Sequence, residues 1–467
     1  MRPFLCAILL LTLAGCAVGP KYRRPDVNAP PAFRGAGAAT NSLGDLPWWQ
    51  LFNDPMLQGL VHEALTNNYD LRIAVSRLEQ ARAIWLENRS LFLPQANYNG
   101  GAGIAKNVVG GQPSHTGGNA VAGFLGDATV SWEIDLFGRI RRLNESARAQ
   151  YFATDEARHD VTAALISDLA QAYFQLLALD QELRIAEDST NSFGQSMKIF
   201  NERYHGGVAS KLEVASAAAL QASAATTLLD LQRQILVQED LICVLVGVNP
   251  EAVPRGAVLL AEAVPPDVPP GLPSALLERR PDIREAEQNL RSANALIGVA
   301  KADFFPRLVL TGLLGASSSD LATITAGANR SWEIAAGLAG PIFEGGLLKA
   351  QYQAARAAWQ EARLQYQQTI LTAFREVSDA LAARRQLAAE RAQQTAAVTA
   401  YQEAVKVANE RYKLGQASYY EVLQEEQLLF PAENELTQIQ LNQLQSVIQL
   451  YRALGGGWQT NSPPPAH

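Results

Sequence analysis

The sequence predicts a mainly α-helical protein with a smaller set of membrane-type β-strands, built as one unit written twice. Three observations carry this. Asn201-Glu202-Arg203-Tyr204 recurs as Asn409-Glu410-Arg411-Tyr412, 208 residues further on. Ahead of the first copy, apolar or small residues alternate in steps of three and four from Val161 to Tyr204, a seam of 44 residues with the spacing of a coiled-coil helix. Before each helical stretch the period falls to two, with one face apolar and the other polar or acidic.

In chain order, residues 1–15 read as a signal peptide. Arg2 supplies the charge and Phe4 to Leu13 the apolar region, which is too short to span a bilayer. The segment ends Leu13-Ala14-Gly15-Cys16, a pattern that resembles the bacterial lipobox, in which the cysteine becomes the lipid-bearing mature N-terminus. That likeness implies a diacylglycerol and an N-acyl chain on Cys16. Ala17 follows in place of the aspartate that would favour the inner membrane, so it also implies the outer membrane. Residues 16–47 are rich in proline, glycine and alanine and read as an extended tether.

The first repeat spans residues 48–247. Asp54-Pro55 is an N-cap and first-turn pair, which predicts a short helix to about Leu65. A second helix from Asp70 carries Leu71, Val75, Leu78, Ala81, Trp85 and Asn88. Then Ala96, Tyr98, Gly100, Ala102 and Ile104 alternate with polar residues and glycine, and from Asp127 to Leu136 Ala128, Val130, Trp132 and Ile134 do the same. The Gly-rich loop Lys106 to Asn119 separates these two strands. The long seam follows, about 65 Å of helix at 1.5 Å per residue. Gly206-Gly207 ends it, since glycine allows the left-handed turn of a helix terminus. Ser210 is the candidate N-cap of the return helix.

Residues 248–273 form a linker with seven prolines. The second repeat, residues 274–455, has its helix from Asp282, strands from Arg307 to Ala316 and Ser331 to Phe343, a seam through Trp359, Tyr366, Ile370, Val377 and Leu387, the stop Leu414-Gly415, and the cap Ser418. Ser331-Trp332-Glu333-Ile334 repeats Ser131 to Ile134 verbatim, but at offset 200 against 206 to 212 for its surroundings, so the match reads as coincidence. Residues 456–467 read as a disordered tail.

Four strands cannot close a membrane barrel, for which about eight is the working minimum. Open edges in lipid leave N–H and C=O groups unpaired. The chain must pool strands with copies of itself; two copies supply eight and three supply twelve.

Other classes find no support. The net charge of -7 gives no nucleic-acid footprint. Cys243 has no disulfide partner if Cys16 is lipidated. The five histidines lack ligand spacing, and no phosphate loop or Gly-x-Ser-x-Gly elbow is present. The sequence therefore predicts no enzyme, no metal and no cofactor beyond the lipid on Cys16.

The tandem halves, the lipobox, the Trp48-Trp49-x-x-Phe52-x-Asp54-Pro55 segment, Trp132-Glu133-Ile134-Asp135-Leu136-Phe137-Gly138 and the two Arg-Tyr-x-x-Gly corners resemble TolC-type outer-membrane efflux factors. The likeness is to the lipoprotein branch that serves resistance-nodulation-division pumps. It implies a homotrimer with a twelve-stranded β-barrel continued by a twelve-helix periplasmic α-barrel, conducting drugs or other small molecules passively. It also implies two partners, a periplasmic adaptor and an inner-membrane pump. A protein-secretion duct and a non-conducting envelope coiled coil are the alternatives. The resemblance places the adaptor-docking tip at Gly207, Ser210, Gly415 and Ser418. Candidates for narrowing the closed end are Tyr204, Tyr412 and Tyr420, with Glu213 and Glu421 as acidic rings. A gate aspartate of the family falls near Gln424, which is glutamine here.

Overall fold

The computed structural model describes residues 17–34, 42–51, 54–105, 108–109, 112–113, 121–256, 258–262 and 270–458. Cys16 with the signal segment, most of the 106–119 loop, part of the linker and the tail from residue 459 lie outside the described residues.

The strands are β1 (Gln95–Ala105), β2 (Val121–Ile134), β3 (Arg307–Ser318) and β4 (Arg330–Ala339). They form one antiparallel sheet in that order. Residues directly opposite in an antiparallel pair share a face. One row reads Tyr98, Ala128, Leu314, Trp332, and the next row on the other face reads Asn97, Thr129, Leu313, Glu333. The two-residue period thus sorts into an apolar and a mainly polar face, and the two tryptophans of the verbatim tetrapeptide both fall on the apolar one. That face is uncovered, with Tyr98 at 89% and Ile334 at 81% exposure.

Two strand limits differ from expectation. β2 starts at Val121 rather than near Asp127, because the glycines at 123 and 126 display no side-chain period although they pair. It also stops before Asp135. That carboxylate accepts the amide hydrogens of Ile140 (3.1 Å) and Arg141 (2.9 Å) and so belongs to the next helix. β4 stops at Ala339, short of the expected Phe343. Pro341 has no N–H for a ladder, which leaves Ile342 and Phe343 exposed beyond the sheet.

The helices are α1 (Trp48–Leu51), α2 (Pro55–Asn67), α3 (Tyr69–Ser90), α4 (Arg139–His205), α5 (Lys211–Val246), α6 (Pro273–Arg279), α7 (Pro281–Ala302), α8 (Leu347–Lys413) and α9 (Tyr419–Ala453). Helices α4 and α8 have 67 residues each. Both start after a glycine at positive φ, Gly138 and Gly346, which are again 208 residues apart. Along α4 the seam positions Leu165, Leu169, Ala172, Leu176, Leu179, Ala186, Phe193 and Phe200 are buried. By length and hydropathy alone α4 and α5 each hold a stretch able to cross a membrane, but 72% of the α4 stretch is buried inside the fold. The α5 stretch is 11% buried, and Leu229, Leu236 and Val237 lie open along that helix.

Two compact units draw on both repeats, and α4 and α8 contribute residues to each. The first holds the sheet and residues 17–26. Those residues form no helix or strand and are held along their length. Val18 N–H donates to Phe137 O (3.0 Å), Asn294 donates to Pro20 O (3.1 Å), and Glu287 receives Tyr22 (3.1 Å) and Arg24 (2.7 Å). A Cβ on Gly19 would sit 2.5 Å from the Cα of Gly298, so this close approach requires glycine.

The second unit holds residues 27–76, 156–284 and 368–467. Asp54 caps α2 as expected, accepting from Met56 N (2.7 Å), and takes the Tyr173 hydroxyl proton on its other oxygen (2.6 Å). Gly256 N donates to that same Tyr173 oxygen (2.9 Å). Arg255 bridges Asp180 and Glu239. The described linker residues are therefore strapped onto α4 and α5. Arg280 makes a bidentate pair with Asp282 (3.0 and 2.6 Å), bonds Glu376 (2.7 Å), and donates to Ala453 O (3.1 Å).

Candidate functional site: the hairpin corners

Both helix reversals close in the same way. At the first, Val208 N donates to Arg203 O (2.9 Å) and Gly207 N to Tyr204 O (2.9 Å). At the second, Gln416 N donates to Arg411 O (2.9 Å) and Gly415 N to Tyr412 O (2.9 Å). This is the Schellman pair of bonds, which needs a left-handed residue. Gly207 and Gly415 supply it with φ of 76° and 71°. A Cβ at either glycine would meet nothing within 4 Å. The corners are open surface, flanked by exposed Val208, Leu212, Leu414 and Tyr420.

The caps differ from one repeat to the other. Ser210 forms a full capping box: Glu213 N donates to its hydroxyl (3.2 Å), and Ser210 N donates to the Glu213 carboxylate (2.6 Å). Those bonds hold the Glu213 carboxyl below the usual range. Ser418 occupies the matching N-cap position but makes no side-chain capping bond. Glu421, which would complete that box, is drawn instead to Arg411 at 2.9 Å.

Of the remaining corner residues, Tyr204 and Tyr420 are exposed and Gln424 lies on the exposed face of α9. Tyr412 is half-buried, with its ring 4.9 Å from that of Tyr419. Tyr419 is the residue that sequence reasoning missed. It is buried with Phe193, Phe200, Ala217, Val422 and Leu423 in a cluster that joins the two hairpins. Ser196 donates to its phenol oxygen (3.1 Å). Its repeat counterpart is the exposed Lys211, so the offset that located the corners gave no sign of it.

Two turns above Tyr419 on α9 lies Glu426, 9% exposed, with Oε2 buried and without a hydrogen-bond partner. Burial pushes its carboxyl above the ordinary value of 4.5, and a bond with Ser192 opposes the shift in part. A carboxyl raised in the packed state favours packing below its ordinary value, and that stabilisation is lost as pH rises through the raised value. Glu426→Gln should remove this loss. Thermal unfolding in detergent should then depend less on pH for the variant, with the variant the more stable above the raised value. A wild-type profile that stays flat across that window refutes the assignment.

No group of three or more His, Cys, Asp or Glu is placed to hold a metal among the described residues. What the chain offers is a twice-repeated helical corner, a membrane-patterned sheet and a docked N-terminal strap. A family profile described as outer membrane efflux protein matches residues 60–247 and 272–456. The chain belongs to this family. The toluene efflux pump outer membrane protein TtgC of Pseudomonas putida is 34% identical over 97% of this chain and 95% of that protein. The probable outer membrane lipoprotein SilC of Salmonella typhimurium is 31% identical, over 96% and 97%. The open state of the MtrE outer membrane channel of Neisseria gonorrhoeae superposes with a TM-score of 0.82 at 32% identity, covering 95% of this chain and 99% of that one. As an outer membrane efflux protein, the chain is a channel component of the outer membrane that works in efflux.

Proposed function

We propose that three copies of this chain close a twelve-stranded barrel and form a passive duct, fed by an inner-membrane pump through a periplasmic adaptor. One observation carries the reading: a four-stranded sheet whose apolar face is bare and whose edge strands β1 and β4 have no further partner among the described residues. Such a sheet is stable in lipid only when its edges pair with those of other copies. Two copies would make eight strands, whose interior is just wide enough to be filled by side chains. A duct needs the wider barrel that twelve strands allow. The uncovered apolar flank of α5 supports the same association, since a neighbouring copy would cover it. Native mass spectrometry in mild detergent should give a trimer; a stable monomer or dimer defeats the reading.

The exposed corners are the surface for the adaptor, and export then needs no catalysis by this chain. TtgC belongs to a toluene efflux pump, and apolar small molecules are the cargo class proposed here. Diacylglycerol and an N-acyl chain on Cys16 complete the anchor. Ala17 packs against Gly138, whose added Cβ would meet its Cα at 2.6 Å. Mass spectrometry of the N-terminal peptide should find lipidated Cys16; an unmodified start at another residue overturns the anchor.

A further inference from the structure

We infer that ion preference in this duct is set inside the β-barrel by Asp127 and Glu333 rather than by the glutamates of the hairpin corners. The inference rests on the trimeric duct proposed above, with the apolar face of the sheet toward lipid and the polar face toward water.

The charged strand residues of the polar face are Asp127, Glu133, Arg307 and Glu333 among the described residues. Two of them are neutralised locally. Glu133 holds Arg139 in a bidentate pair (2.9 and 2.7 Å), and Arg307 pairs with Asp303 (2.7 Å). Asp127 accepts a hydrogen bond from Asn99 (3.0 Å) and Glu333 is exposed; no cation pairs with either among the described residues. The polar face thus keeps two uncompensated negative charges per chain.

Their placement in the sheet matters more than their number. Asp127 lies on β2 and Glu333 on β4, in adjacent rows of one face. In the order β1-β2-β3-β4 repeated three times, a carboxylate falls on every second strand, and six ring the lumen. Neighbouring strands are about 4.8 Å apart, so successive carboxylates stand roughly 10 Å apart or more. They are too far apart to share one ion and act together as a field on whatever passes. A twelve-stranded barrel has a backbone radius of about 12 Å, close to the Debye length of about 10 Å at 0.1 M salt. The field therefore reaches the axis at low salt and collapses at 1 M, where that length is about 3 Å. Cations and protonated amines are favoured, and polyanions are held back.

The corner carboxylates are less suited to this role. Glu421 is paired with Arg411, and Glu213 is engaged in its capping box.

The test is reversal potential in planar bilayers under a KCl gradient kept at about 0.1 M or below. The wild-type chain should prefer K⁺ over Cl⁻ and lose that preference at high salt. Asp127→Asn/Glu333→Gln should abolish the preference, Asp127→Lys/Glu333→Lys should reverse it, and Glu421→Gln should keep it. Both positions lie on the polar face, and recovery of the trimer by native mass spectrometry confirms that each variant folds. A neutralised variant that keeps the wild-type preference overturns the inference, as does a preference lost in Glu421→Gln. A wild-type chain that conducts without preference overturns the ring alone, whereas one that does not conduct overturns the duct and the ring with it.

Discussion

Gly415→Trp is expected to abolish pump-dependent resistance while the protein still assembles and reaches the outer membrane. Two effects of the substitution have to be compared. The first is strain: the residue sits at φ of 71°, and a left-handed conformation costs a non-glycine residue about 1–2 kcal/mol. The second is bulk, and a Cβ here meets no atom within 4 Å, so the side chain leaves the backbone into open space. The indole must therefore stand out from the corner, on the surface proposed for the adaptor. Gly415→Ala carries the strain without the bulk and should retain export. If the tryptophan variant exports normally with the adaptor bound, or if alanine abolishes export equally, Gly415 only ends a helix.

The elements differ in how plainly the sequence announces them, for physical reasons. Glycine is the one residue that takes a left-handed helix end without strain, so Gly207 and Gly415 mark the corners unambiguously. The long seam is equally plain, because burying one stripe of a helix imposes the three-four alternation on every turn. Strand limits are less so. The glycine-rich start of β2 pairs through its backbone, and backbone pairing leaves no trace in side-chain pattern. The second cap was misleading because a local motif competes with its surroundings. Ser418 and Glu421 have the right spacing for a box, and the charge on Arg411 prevails over the neutral amide hydrogen. Least legible are contacts between segments distant in sequence. Glu287 with Tyr22 and Arg24, and Tyr173 with Asp54 and Gly256, join residues 83 to 265 positions apart. Nothing in the periodicity of either partner points to the other.

The largest loss of stability is expected from Arg280→Met. Arg280 is 8% exposed, and its guanidinium serves three groups: the Asp282 carboxylate, the Glu376 carboxylate and the carbonyl of Ala453 at the end of α9. Methionine matches the stem and removes all of those bonds. Removing one partner of a buried charge pair costs about 3–5 kcal/mol, mainly through the charge left without compensation. Here the lower figure applies. The side chains of Asp282 and Glu376 are 30% and 40% exposed, and both line a cavity of about 570 Å³ with Asp160 and Arg452, so water can reach them once the arginine is gone. A loss of about 3 kcal/mol remains large beside the 5–15 kcal/mol by which folded proteins are stable. Heating in detergent should dissociate Arg280→Met well below the wild-type temperature. Adding Glu376→Gln to it should recover part of the difference, because one unpaired charge is then absent. If the single variant melts with the wild type, this cluster is an exposed ion pair of little energetic consequence, and the join between α7, α8 and α9 must rest on apolar packing instead.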